Sequence, residues 1–289
     1  MKRPPILLFV VNEAYFFVSH RLPIALEARR QGYDVHIAAP ADNVWAPEDY
    51  SIAELAKSGL TFHEIPISRR GTHPLQELRT FLALLRLYRH LRPDIVHHLT
   101  IKPNLYGGVA ARLTGVPAVV YAVTGLGQMF VATQGPLLFL RPMVLGLLRF
   151  AMRHRNARVI LQNKSDRDFL VGNGVVAMSG TVLIQGSGVD LTAFRPAPEP
   201  PGDPVVILPS RLIWEKGIQE FADAAKRLRQ QGVRARFALV GNTHPSNPRA
   251  VPEAQLRAWD ESGDVEWWGR REDMPKVMAE SHIICLPSK

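Results

Sequence analysis

Residues 6–11 (Ile-Leu-Leu-Phe-Val-Val) form an unbroken apolar run. A run without alternation predicts a strand buried on both faces, as in a parallel sheet. Helical spacing follows as far as Arg30 and stops at Gln31-Gly32, where glycine suits a helix C-terminus. Asp34–Ala39 reads as a second strand, Ala53–Ser58 as a helix and Thr61–Ile65 as a strand. Leu75–Leu91 is a long amphipathic helix stopped by Arg92-Pro93. Strands at Asp94–His98, Ala118–Val123, Val159–Gln162 and Thr181–Ile184 then alternate with helices at Leu105–Thr114 and Ser165–Asn173.

Four prolines between Arg195 and Gly202 break this rhythm, since they can continue neither a helix nor a central strand. The alternation then restarts. Val205–Pro209, Arg236–Val240, Val265–Trp267 and His282–Leu286 read as strands, and Ile218–Gln231, Glu253–Ser262 and Glu272–Glu280 as helices. Strands alternating with helices across short Gly/Pro turns predict an α/β class with two Rossmann-like, doubly wound domains. The expected division is 1–194, a linker at 195–203, and a second domain at 204–289 that looks incomplete, because its last strand has no crossover helix after it.

Composition narrows the class. The chain has 289 residues, 46% of them apolar, which suits two globular cores and excludes a disordered or low-complexity chain. The single cysteine, Cys285, excludes an internal disulfide framework, and its apolar surroundings predict a buried, inert thiol. The N-terminal apolar run ends at Asn12-Glu13 without a small-residue cleavage site, so a first strand explains it better than a signal peptide. With no stretch long enough to span a bilayer, a cytoplasmic chain in a reducing compartment is expected.

Charge adds a partner. The net charge is +9, and no Asp or Glu occurs between Asp94 and Asp166, a window holding eight Lys or Arg residues. Within it, Arg141, Arg149, Arg153, Arg155 and Arg158 flank apolar turns, as in helices lying on a membrane interface. The expectation is peripheral association with an anionic membrane surface. Nucleic acid is not expected, because the basic residues are not interleaved with aromatics and no binding motif occurs.

Ligands of open α/β sheets bind at the carboxyl ends of the strands, in a two-domain chain at the cleft between them. Those ends carry Glu13 with Ser19, His20 and Arg21; His97 and His98 with Lys102; Thr124-Gly125-Leu126-Gly127; and Ser210-Arg211 followed by Trp214-Glu215-Lys216-Gly217. Arg211 and Lys216 beside a helix start make a natural diphosphate clamp. One of the two consecutive histidines must face the opposite side of the sheet. Asp190 reads as a turn residue capping backbone N–H groups, and Trp259, Trp267 and Trp268 as core. Neither a Gly-x-Gly-x-x-Gly after a strand nor a Walker sequence occurs.

Gln185–Pro196 (QGSGVDLTAFRP) and Pro209–Phe221 (PSRLIWEKGIQEF) together resemble retaining glycosyltransferases of family four, with the two-domain glycosyltransferase-B fold. TIKPNLYGGVAARLTGVP, VTGLG and LVGNTHPSNP are similar to a bacterial subgroup that extends undecaprenyl-diphosphate-linked sugars, most of all to N-acetylgalactosaminyltransferases of glycan and capsule assembly. The resemblance covers essentially the whole chain. It implies a UDP-type nucleotide-sugar donor held by Arg211, Lys216, Gly217, Gly269, Arg270, Gly125 and Gly127. It also implies a lipid-linked glycan acceptor at the inner face of a cell membrane, with Arg21 near its phosphates; the strand-end residues Ser19, His20, His97, His98 and Lys102 are the further acceptor candidates. Thr124 and Glu13 are the catalytic candidates, and no metal or other cofactor is expected. Two departures stand out: no histidine occurs at Val123–Thr124, and the 289 residues end before the position of a pair of glutamates that the family carries beyond the last strand. Alternative readings are a nucleotide-sugar epimerase of the same fold, or an inactive fragment that binds membrane or a partner.

Overall fold

The first apolar run is a central strand buried on both faces, as its lack of alternation requires. In the computed structural model, which describes residues 3–41, 48–68, 73–126, 137–243 and 247–288, β1 (Ile6–Val10) lies parallel to both β2 (Asp34–Ala39) and β4 (Ile95–Leu99). With β3 (Thr61–Glu64), β5 (Ala118–Val123), β6 (Ala157–Leu161) and β7 (Thr181–Leu183) it builds a seven-stranded parallel sheet of order β3-β2-β1-β4-β5-β6-β7. This sheet belongs to the first of two compact units, Met1–Gly188.

The strand order reverses at β1 and β4. Right-handed crossovers therefore send the helices to opposite faces. On one face lie α1 (Ala14–His20), α2 (Leu22–Arg30) and α3 (Glu48–Lys57); on the other, α4 (Pro74–Leu91), α5 (Gly108–Thr114), α6 (Leu137–Met152) and α7 (Lys164–Gly172). Two cores result, divided by the pleat of β1. Leu8 and Val10 pack with Tyr88, Val96 and Leu148, while Phe9 packs with Phe17, Ile37, Leu55 and Leu99. Full burial of such a side chain contributes roughly 1.5–3 kcal/mol.

α4 ends where expected, with Arg92 in the left-handed region at φ 48° ahead of Pro93. The expected helix at 105–114 is split. Pro103–Gly107 forms a wide π turn before α5. The cause is tertiary: a side chain at Gly107 would overlap the His98 ring and the Tyr88 hydroxyl, and one at Gly108 would press on Ala151 and Tyr121. The wide turn seats bare backbone against the sheet.

The second unit, Val189–Lys289, holds β8 (Val205–Pro209), β9 (Arg236–Val240), β10 (Glu266–Gly269) and β11 (Ile283–Ile284), in the parallel order β10-β9-β8-β11. Its helices are α8 (Ile218–Gln230), α9 (Glu253–Glu261) and α10 (Met274–Ala279). The proline-rich stretch is tied to this unit: His282 contacts the Pro200 carbonyl through Nε2 at 2.9 Å and accepts from the Val205 N–H through Nδ1 at 3.0 Å. The reading of 282–286 needs correction. β11 is a two-residue edge strand whose isoleucines are exposed, and Cys285 is only half-buried, because nothing in the described residues packs on its outer side. Trp259 and Trp267 do pack against the core, and Trp268 against a smaller cluster beside it.

Candidate functional site

In the first unit, three strand ends carry the polar residues. Glu13 follows β1 and is buried at the start of α1; Arg21 ends α1 and opens α2, whose first turn holds Pro23. Arg21 is also buried, its Nε has no hydrogen-bond partner, and burial lowers its pKa. Ser19 donates to the Tyr15 carbonyl at 2.7 Å and pairs with His20 Nδ1 at 2.6 Å, while the His20 ring stacks on Phe16.

His97 and His98 face opposite sides of β4, as the pleat dictates. His97 lies on the Arg21 side against Phe9, with its Nε2 enclosed and unpartnered. Burial, reinforced by the Arg21 charge, pushes it down to about 3. His98 is completely buried on the other side, paired through Nε2 with the Tyr88 hydroxyl at 2.8 Å and packed on Tyr121. Lys102 reaches Glu77 at 2.5 Å, with both side chains largely buried. His98 and Lys102 are therefore engaged inside the unit, unlike Arg21 and His97.

Two residues at this edge escaped the sequence reading. Thr100 takes φ 74°, a region a β-branched residue rarely enters, and its hydroxyl is enclosed without a partner. Asn104 is fully buried; its amide donates to the Ala122 carbonyl at 3.1 Å, and its Oδ1 has no partner. Neither backbone strain nor an orphaned oxygen can be read from a sequence. On the neighbouring strand end, Thr124 leads into Gly125 at φ 150°. Gly127 lies outside the described residues.

In the second unit, the strand ends are stitched side by side. Ser210 N–H donates to Val240 at 3.0 Å, and Gly241 N–H to Gly269 at 2.8 Å. A Cβ at Gly241 would overlap the Ser210 carbonyl, so only glycine permits this approach. Beyond Arg211, a single 3-10 turn, Trp214–Lys216, ends at Gly217, which at φ 73° opens α8. The first N–H groups of a thirteen-residue helix thus follow Lys216, whose Nζ lies 3.5 Å from the Ser288 hydroxyl, and Pro287 packs against Gly217. Glu215, in the same turn, pairs with Arg249 at 2.8 Å and also feels the Arg211 charge. Arg270 follows Gly269 and lies 3.6 Å from Glu272. Asp190 caps as expected, accepting from the Thr192 N–H and hydroxyl at 2.8 and 2.7 Å.

Cationic side chains, glycine-bounded strand ends and a helix N-terminus suit a diphosphate. The first unit offers an enclosed cation beside a neutral imidazole. Among the described residues no group of three or more His, Cys, Asp or Glu is gathered to hold a metal, and no helix is long and apolar enough to cross a membrane.

Known proteins share this chain's sequence pattern and its fold. The chain is 25% identical over 258 residues to a Campylobacter jejuni N,N'-diacetylbacillosaminyl-diphospho-undecaprenol α-1,3-N-acetylgalactosaminyltransferase, covering 85% of this chain and 66% of that protein. It is 26% identical over 239 residues to an Escherichia coli UDP-Gal:α-D-GlcNAc-diphosphoundecaprenol α-1,3-galactosyltransferase, covering 78% and 59%. The chain thus spans about two thirds or less of the length of these relatives. The Anabaena protein HepE, solved with UDP and glucose, has the same fold at a TM-score of 0.68 and 18% identity, over 98% of this chain and 74% of its own. Residues 203–289 match the glycosyl transferases group 1 family. Residues 6–163, more than half of the chain, match the family described as glycosyl transferase 4-like, and the protein belongs to it.

Proposed function

We propose that this chain is the sugar-transferring part of a glycosyltransferase that moves a sugar from a nucleotide diphosphate to a lipid-linked glycan. The domain at 204–289, reached through a linker at 195–203, takes the donor. Arg211, Lys216 and the N–H groups after Gly217 hold the diphosphate, and Gly269 and Arg270 lie toward the nucleotide. Thr124, Gly125 and Gly127 of the first unit are assigned to the sugar. Ser19, His20, Arg21 and His97 meet the acceptor, with His98 and Lys102 supporting them from within. The observation that carries this reading is the clamp at the end of β8: two cations flank a turn that opens a helix, with the turn's own carboxylate neutralised by Arg249.

The chemistry follows from charge. The bond between the sugar's anomeric carbon and the diphosphate oxygen breaks with its electron pair going to the diphosphate. Fixed positive charge stabilises that leaving group without a proton donor. The acceptor hydroxyl oxygen forms the new bond on the same face, retaining configuration, and its proton passes to the Glu13 carboxylate. The polar wall beside it supports acceptor placement: neutral His97 presents no competing charge, and Arg21 offers a cation to acceptor phosphate. A lipid-linked acceptor places the reaction at the inner membrane face, and the relatives named for undecaprenol-diphosphate substrates support that choice.

Calorimetric titration with UDP tests the donor assignment. Saturable binding that is lost on replacing both Arg211 and Lys216 supports it; the absence of UDP binding, or binding indifferent to both residues, overturns it.

A further inference from the structure

Outside the site, the largest unexplained feature of the first unit is the outer face of α4, α5 and α6. These helices lie side by side on one face of the sheet, and α5 is fixed to α6 by Arg112. The Arg112 guanidinium sits 4.4 Å from the Phe150 ring and donates to the carbonyls of Phe150 and Arg153 at 2.7 and 3.0 Å. The outward positions of α4 are apolar in its first half, with Leu75 at 64%, Leu78 at 51% and Leu82 at 38% exposure. Their 3-and-4 spacing makes one stripe, which Arg79, Arg86 and Arg89 continue. On α6 the same spacing exposes Met143, Leu147 and Phe150, and Leu113 of α5 is exposed as well. Scattered exposed leucines need no explanation, but exposed stripes on the two helices that flank α5 do.

Charge selects the occupant. Across these three helices the only acidic residue is Glu77, and it is turned inward to Lys102. Every other Asp, Glu, Lys or Arg on them is an arginine. α7 carries Asp166 and Asp168 and bounds the patch on one side. An apolar surface whose own charges, Glu77 apart, are arginines is complementary to an anionic bilayer, where acyl chains take the leucines and headgroups the guanidiniums. We infer that this three-helix face, with α4 contributing as much as α6, is the surface by which the chain docks on anionic lipid. The inference rests on the lipid-linked acceptor proposed above and extends it to a stripe outside the basic segment 141–158.

α4 also gives the cleaner probe. Arg149 and Arg153 donate to the carbonyls of Asn173 and Gly174, so charge changes there disturb the fold as well as any lipid contact. Each basic residue near an anionic surface strengthens binding by about fivefold, and each buried leucine by more.

The test uses the full chain and sucrose-loaded vesicles of phosphatidylcholine, with and without phosphatidylglycerol. The wild type should co-sediment with the anionic vesicles and be released by salt. Leu75→Ser with Leu78→Ser and Leu82→Ser should lower the partition coefficient at least about tenfold, and Arg79→Glu with Arg86→Glu should do the same. Circular dichroism and UDP affinity should not change in either. Met143→Ser with Leu147→Ser should lose binding to a similar extent. If only this last variant loses binding, the α4 stripe is not a lipid contact and the inference fails, while peripheral membrane action survives. If the wild type binds neither vesicle, both fail. A lipid-free dimer that the α4 serine variant dissolves would assign the face to a second copy and overturn the inference.

Discussion

Lowering the pH from 7 to 5 should destabilise the first unit through His98. The ring is completely buried, and burial holds it down to about 3 from an ordinary value of 6.5, with His97 and His154 adding to the effect. In the folded state it therefore stays neutral across this range, whereas the unfolded chain takes up a proton below about 6.5. Between those two values the unfolded state binds more protons, so stability falls as the pH falls. The slope approaches about 1.4 kcal/mol per pH unit, which integrates to about 2 kcal/mol between pH 7 and pH 5. His97, held down to about 3 by burial and Arg21, adds a loss of the same sign. Urea unfolding at the two pH values measures the loss. Replacing His98 by leucine removes its titration, so that variant should lose about 2 kcal/mol less over the same interval, whatever its absolute stability. A His98 ring resonance that titrates near 6.5 would refute the reasoning, as would equal pH dependence in the variant and the wild type.

Other outcomes follow from single contacts. Arg211→Ala and Lys216→Ala should each weaken UDP binding by about 1.5–3 kcal/mol, read by calorimetry, because each removes a charge-assisted contact. Gly217→Ala should lower stability by about 1–3 kcal/mol in denaturant unfolding, since φ is 73° and the new Cβ would overlap the Pro287 carbonyl. Arg149→Ala and Arg153→Ala should each cost about 1–2 kcal/mol by the same measurement, from the carbonyl contacts they lose at the end of α7.

Several strands were fully legible. Ala118–Val123, Val205–Pro209 and Arg236–Val240 are continuous apolar runs, or close to it, and they are strands with those same ends. Buried parallel strands leave that trace because both faces must be apolar. The split at Pro103–Gly107 was not legible. It depends on what His98, Tyr88 and Tyr121 place opposite two glycines, and these lie in other elements. The apolar stretch 282–286 misled for a related reason: apolarity says that a segment can be covered, not that something covers it. At the site, the pleat argument separated His97 from His98, but which of them faces Arg21 depended on sheet order. Thr100 and Asn104 went unnoticed because their signals, a positive φ and enclosed oxygens, arise only on folding. The strand end, glycine and helix start at 209–218 were readable because all three are local.

The most direct test of glycosyl transfer is a partition assay. The chain is incubated with radiolabelled UDP-sugar and vesicles carrying an undecaprenyl-diphosphate-linked sugar, and the organic phase is then counted. The account predicts label in the lipid phase that depends on the acceptor and falls at least about tenfold in the Arg211→Ala Lys216→Ala double variant, the loss expected from about 1.4 kcal/mol or more of donor contact. Label that stays wholly in the aqueous phase, as unchanged donor or as an epimerised sugar, would contradict it.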